Sequence, residues 1–240
     1  MDTQPEIINR WSGFYKFAGI ASLLIVLVGL VDIVTSMLGG EAHANATILI
    51  EDWFALFDAN PLTALGNLGL FNILTLSLGI PLYLALFNIH KLKYPAFSSL
   101  AAILFLMGTA IYISSNTVFS MQAISNQYAS ASGVQKPLLE AAGRALLAQG
   151  ADLSAGTFMG FLFTQTAGLI MALVLMQSGV FGKITSWLGA VGFGLMLIFF
   201  WIAAFAPEHF NTAMMISAPG GLLLMAYQVL LARKLFQLSK

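Results

Sequence analysis

The chain has no cysteine, three histidines and only 8% charged residues. Without thiols there are no disulfides, thiolate zinc sites, iron–sulfur clusters or cysteine nucleophiles. The shortage of charge excludes more. A soluble domain carries about 25% charged side chains because its surface must be hydrated, and ten basic plus ten acidic residues are too few to wet a 25.7 kDa globule. The formal net charge of +0 also argues against nucleic acid as a partner, since phosphates call for a basic excess. What is present instead is apolar: 59% of the residues, with a mean hydropathy of +0.87. The composition predicts an integral membrane protein.

Crossing about 30 Å of hydrocarbon at about 1.5 Å per residue takes roughly 20 apolar residues. Six stretches qualify: Phe14 to Leu38, Thr63 to Ile89, Ala96 to Phe119, Ala155 to Ser178, Ile184 to Ala206 and Asn211 to Leu231. They are apolar on all sides, whereas barrel strands alternate over about 10 residues. The expected fold is therefore all-α, a single six-helix transmembrane domain over residues 1–240.

Basic residues orient such a bundle, because they stay on the cytoplasmic side. Arg10, Lys16, Lys91, Lys93, Lys183, Arg233, Lys234 and Lys240 fall in one set of connections, and Lys136 and Arg144 in the other. Both termini are expected inside. The acidic excess of the outer loops (Glu41, Glu51, Asp52, Asp58, Glu140, Asp152 and Glu208) agrees with this, although acidic residues count little in the rule. Ala42-His43-Ala44 resembles a cleavage site, but the apolar run before it exceeds the 7 to 15 residues of a signal peptide, so the first helix reads as an uncleaved anchor. Asn45-Ala46-Thr47 fits a glycosylation pattern that has meaning only in a eukaryotic secretory pathway.

The inner connections are short, which makes spans two and three, and four and five, antiparallel neighbours. The outer ones are longer. Ile48-Leu49-Ile50 and Trp53-Phe54 beside Glu51 and Asp52 read as a segment at headgroup level. Between spans three and four, Leu138, Leu139, Ala142, Ala145, Leu146 and Gln149 recur at helical spacing, Glu140 and Arg144 form an i,i+4 pair, Pro137 starts and Gly150 ends the run. This predicts a short amphipathic helix, resting on the leaflet or serving as a lid. Similar openings of spans three (Phe97-Ser98-Ser99-Leu100-Ala101-Ala102) and five (Ile184-Thr185-Ser186-Trp187-Leu188-Gly189-Ala190) record either a duplicated hairpin or two helix starts obeying the same chemistry.

In span four, Gly156, Gly160, Thr164 and Gly168 recur every four residues, a stripe for close helix approach. Gly189, Gly192 and Gly194 suggest the same in span five. Pro219-Gly220-Gly221 predicts a helix break in span six, as a kink or short unwound turn.

Few side chains can carry chemistry. Asp32 is the only carboxylate inside a predicted span, about 9 Å from its outer end, where a charge is costly unless paired, hydrated or protonated. Thr109, Tyr112, Asn116 and Ser120 predict a polar stripe along span three; Asn67 and Asn72 in span two and Gln165 in span four add amides. They read either as interhelical glue, about 0.6 kcal/mol each, or as a ligand pocket opening outward and lined by Asp32, Asn72, Thr109, Tyr112, Asn116 and Gln165. His43, His90 and His209 sit in three different loops, so no metal site, haem pair or cofactor is implied, and with no Gly-x-Ser-x-Gly elbow or His-paired nucleophile in the sequence, no catalytic residue is assigned.

The stretches Ser114-Ser115-Asn116-Thr117-Val118-Phe119-Ser120-Met121, Ser125-Asn126-Gln127-Tyr128-Ala129 and Leu138-Leu139-Glu140-Ala141-Ala142-Gly143-Arg144-Ala145-Leu146-Leu147-Ala148 resemble a family of bacterial six-helix membrane proteins of unknown function, from about residue 14 to the Arg233-Lys234-Leu235-Phe236 tail. The resemblance implies a bacterial inner-membrane location and a six-helix bundle, and brings no reaction with it. Three functional classes follow: a non-catalytic subunit that binds lipid, a small ligand, a membrane-protein partner or a second copy of itself; a small-solute or proton-coupled transporter built around Asp32; and a membrane-embedded hydrolase.

Overall fold

The computed structural model describes residues 11–38, 49–150 and 153–240; Glu41, His43, Asn45 and Asp152 lie outside them. Six helices are long and apolar enough to cross a membrane. They contain α1 (Ser12–Leu38), α4 (Leu70–His90), α5 (Pro95–Ser115), α8 (Ala155–Ser178), α9 (Lys183–Phe205) and α10 (Phe210–Leu238). Among the described residues four shorter α-helices lie between them in sequence, α2 (Ile50–Ala59), α3 (Pro61–Asn67), α6 (Val118–Ser130) and α7 (Gln135–Gly150), with one 3-10 turn at Pro207–His209.

The long helices form a closed ring in the order α1, α4, α5, α8, α9, α10 and back to α1. Its outer surface is apolar, with Phe17, Leu27, Ile103 and Trp187 all more than half exposed, a surface of the kind that suits a hydrocarbon surrounding. Aromatic rings fill the interior. Tyr83 stacks on Phe105 at 3.8 Å, Phe161 lies 4.7 Å from Tyr112 and 4.5 Å from Phe200, and Phe193 meets Tyr227 at 5.7 Å.

The α5–α8 seam is the expected close approach. A Cβ on Gly160 would meet the Tyr112 side chain at 2.7 Å and the Gly108 carbonyl at 3.0 Å, and one on Gly156 would run into Ser115. Gly168 instead makes room for Phe193 of α9. Between α9 and α10, Gly189 lies against Tyr227 and Gly192 against Leu224, whereas Gly194 faces open space and takes no part.

Three expectations need correction. Thr63 to Ile89 is not one helix: Gly69, in the left-handed region at φ 94°, separates α3 from α4, because only a glycine adopts that turn without penalty. The third span likewise stops at Ser115, so Ser120 belongs to α6 and not to the stripe of Thr109 and Tyr112. Pro219-Gly220-Gly221 forms no unwound turn; α10 is helical throughout with Pro219 inside it. Proline removes one backbone bond there, while Gly220 lets α10 lie against Leu195 and Met196 of α9, and the packing on both sides of the proline holds the helix together.

The short helices build a cap over one end of the ring, with a hydrophobic core of its own. Ile50, Trp53, Phe54 and Phe57 of α2 are buried in that core together with Ala64, Val118 and Met121, so the segment expected at headgroup level packs on protein. Phe54 lies 4.4 Å from the Tyr128 ring. The amphipathic helix α7 is present, but its buried face is turned by about one residue: Gly143 packs against Ile50 and Phe54, with Leu146 and Leu147 beside the same core, and Leu138 points outward, 66% exposed. The opposite end of the molecule carries Lys16, Lys91, Lys93, Lys183, Arg233, Lys234 and Lys240, with no described Asp or Glu among them.

Candidate functional site

The residues expected to line one pocket are spread over different seams. Asn116 caps α5 at the point where α3 turns into α4. Its amide nitrogen donates to Leu68 O at 2.8 Å, and its Oδ1 accepts from the Val118 backbone N–H at 2.9 Å. Tyr112, fully buried, directs its hydroxyl at Gly69; a Cβ there would lie 2.4 Å from that oxygen and 2.7 Å from Asn116 Nδ2. These three residues, brought together across 47 positions of sequence between Gly69 and Asn116, form one joint that turns two helices at once.

Asp32 stands elsewhere. It is half-buried on α1, and its carbonyl accepts from Thr35 Oγ1 at 3.0 Å. One turn before it, Gly29 faces Met225 of α10; one turn after, Thr35 faces Gly66 of α3. Helices α1 and α5 are not adjacent in the ring. Asn72 is half-buried on α4. Thr109 is buried, and its Oγ1 has no hydrogen-bond partner; the same holds for Oε1 of Gln165 and for both amide atoms of Asn67.

Other polar pairs lace the ring. Ser22 of α1 donates to Gln228 Oε1 of α10 at 2.6 Å, and Asn88 of α4 donates to the Tyr15 hydroxyl of α1 at 2.8 Å. At the basic end, His90 is 2% exposed. Its Nδ1–H donates to Leu86 O at 2.7 Å and its Nε2 lies 3.0 Å from Ser178 Oγ, while the Tyr94 hydroxyl donates to Gln177 O at 2.9 Å. A His-paired serine therefore does exist, although nothing in the sequence signalled it, because its partners are 88 residues apart. The arrangement suits a clasp between the two turns better than a nucleophile: the Ser178 hydroxyl has Leu175 O, at 3.0 Å, as a competing acceptor for its one proton, and His90 Nδ1 is held by a carbonyl where catalysis favours a carboxylate.

At the cap, Arg144 lies 3.4 Å from Glu51 and 3.8 Å from Glu140. The Arg144 end of both contacts is exposed, which keeps their energetic weight small. Among the described residues no three His, Asp or Glu side chains gather as metal ligands. The best-developed cavities are two apolar grooves of ≈ 380 and ≈ 400 Å³ on the outer surface of the ring, between α1 and α10 and between α9 and α10. Neither is lined by any of the six predicted pocket residues. No known family, curated protein or solved structure matches this chain, so the resemblance noted above rests on its own residues.

Proposed function

We propose that the chain is a non-catalytic membrane subunit that holds lipid on its outer surface and serves other membrane components through its cap. On this reading it sits in a bacterial inner membrane with both termini and the basic end in the cytoplasm and the cap outside, the orientation that the basic residues favour. The observation that carries the reading is the filled interior. Aromatic rings occupy the centre of the ring, and Asn116, Ser22 and Asn88 spend hydrogen bonds on neighbouring helices. A transporter needs a polar site near the bilayer midplane reachable from one side; the best grooves here are apolar and face lipid.

The purified protein reconstituted into vesicles with a pH-sensitive dye inside should pass protons no faster than empty vesicles. Proton flux that disappears on Asp32→Asn would replace this reading with transport, because that change keeps the shape and removes the titration.

A further inference from the structure

The groove between α1 and α10 ends in charge. On α10 its wall is Val229, Ala232, Arg233 and Phe236, at i, i+3, i+4 and i+7 on one face of the helix, with Gln237 beside them and Lys240 two residues beyond the helix end. Leu23 of α1 forms the other side, and Lys16 stands seven residues before it on the same face. The floor is tight: Gly19 has no Cβ, and one placed there would lie 2.9 Å from the Phe236 ring. The apolar part of the groove runs from Val229 to Arg233, about 6 Å of helix rise, well within one leaflet, about half of the ~30 Å hydrocarbon thickness. The apolar part thus lies where an acyl chain lies, and Arg233 and Lys240 come at headgroup level. Among the described residues neither is engaged in an ion pair, and no described Asp or Glu side chain stands at that end of the molecule.

We propose that the α1–α10 groove is a binding site for an anionic diacyl phospholipid of the leaflet at the basic end, one acyl chain lying between Leu23 and Val229 and the phosphate held by Arg233 and Lys240, with Lys16 adding charge at the mouth. A zwitterionic lipid fills the apolar part equally well and gains less from the two cations, so the site selects by headgroup charge. The proposal deepens the lipid-binding reading above and rests on it.

The test places a reporter in the groove. Leu23→Trp is read in vesicles of phosphatidylcholine containing dibrominated phosphatidylglycerol or dibrominated phosphatidylcholine, and the quenching of the parent protein is subtracted. Ile103→Trp on α5, lipid-exposed at comparable depth, reports an ordinary stretch of surface. The expected result is a several-fold preference for phosphatidylglycerol at Leu23→Trp and a ratio near one at Ile103→Trp. Adding Arg233→Gln and Lys240→Gln should bring the first ratio down to the second; both side chains are exposed, so the fold is not at stake. Lys91→Gln with Lys93→Gln, neutralising the same end away from the groove, should leave the preference in place. Equal ratios at the two reporters, a preference that survives loss of Arg233 and Lys240, or one lost equally with Lys91 and Lys93 would each overturn the site. Proton flux in the vesicle assay would sink the broader reading and leave these ratios unchanged, so the two failures are distinguishable.

Discussion

Asn116 shows how much a single polar side chain decides here. It satisfies a carbonyl freed where α3 gives way to α4 and an N–H freed where α5 gives way to α6, so truncation leaves two backbone groups short of a partner. Asn116→Ala is expected to cost about 1–3 kcal/mol, read as a lower melting temperature in detergent; an unchanged melting temperature would mean that solvent reaches the joint. Its polarity within a predicted span marked it in the sequence, but the sequence could not say whether a ligand or the backbone would use it. The partner is a carbonyl 48 residues away, and no local pattern encodes that pairing. Asp32 was legible for the same reason, as the one carboxylate in an apolar run, and its neighbours were not: Thr35 and Gly66 meet only after α3 has turned off the bundle axis.

Among the helices, the Gly156, Gly160, Thr164 stripe is the clearest case of sequence and structure agreeing. In lipid, helices gain little from hiding apolar surface, so contact depends on backbones approaching closely, and small residues every four positions announce the face that does so. Gly160→Leu should overpack the α5–α8 seam at about 1–3 kcal/mol, lowering the melting temperature by several degrees. Gly194→Leu points into open space and should leave it unchanged, which separates overpacking from a general effect of leucine in place of glycine. The proline in α10 teaches the opposite lesson. Its chemistry predicts a lost hydrogen bond, and a lost hydrogen bond is not a lost helix when tertiary contacts flank it.

Over the whole molecule, the neutral sum of charges conceals a separation: the turns and the end of α10 are basic at one end, and Glu51, Asp52, Asp58, Glu140 and Glu208 stand at the other. This polarity supports the proposed orientation. A cysteine at Lys136 in the cap should react with an impermeant thiol reagent applied to intact cells, and one at Lys91 should not; the reverse pattern would invert the molecule and move the proposed lipid site to the outer leaflet. With no native cysteine, each label reports its own position alone.

The all-helical class, six segments long and apolar enough to cross a membrane, the short turns at the basic end and the charge separation were all determined by the sequence alone, because each depends on local quantities: length of apolar run, backbone hydrogen bonding that must close within a segment in lipid, and the side on which lysine and arginine fall. The cap, the His90–Ser178 clasp and the dispersal of the polar residues among separate seams were decided only by the tertiary structure. Amphipathic helices such as α2 and α7 carry an apolar face that suits a leaflet surface and a protein core equally well, and which of the two they cover depends on whether partners with matching faces are held within reach. Here Gly69 and Asn116 end two helices at adjoining points, and α2, α3, α6 and α7 bury their apolar faces on one another beside them.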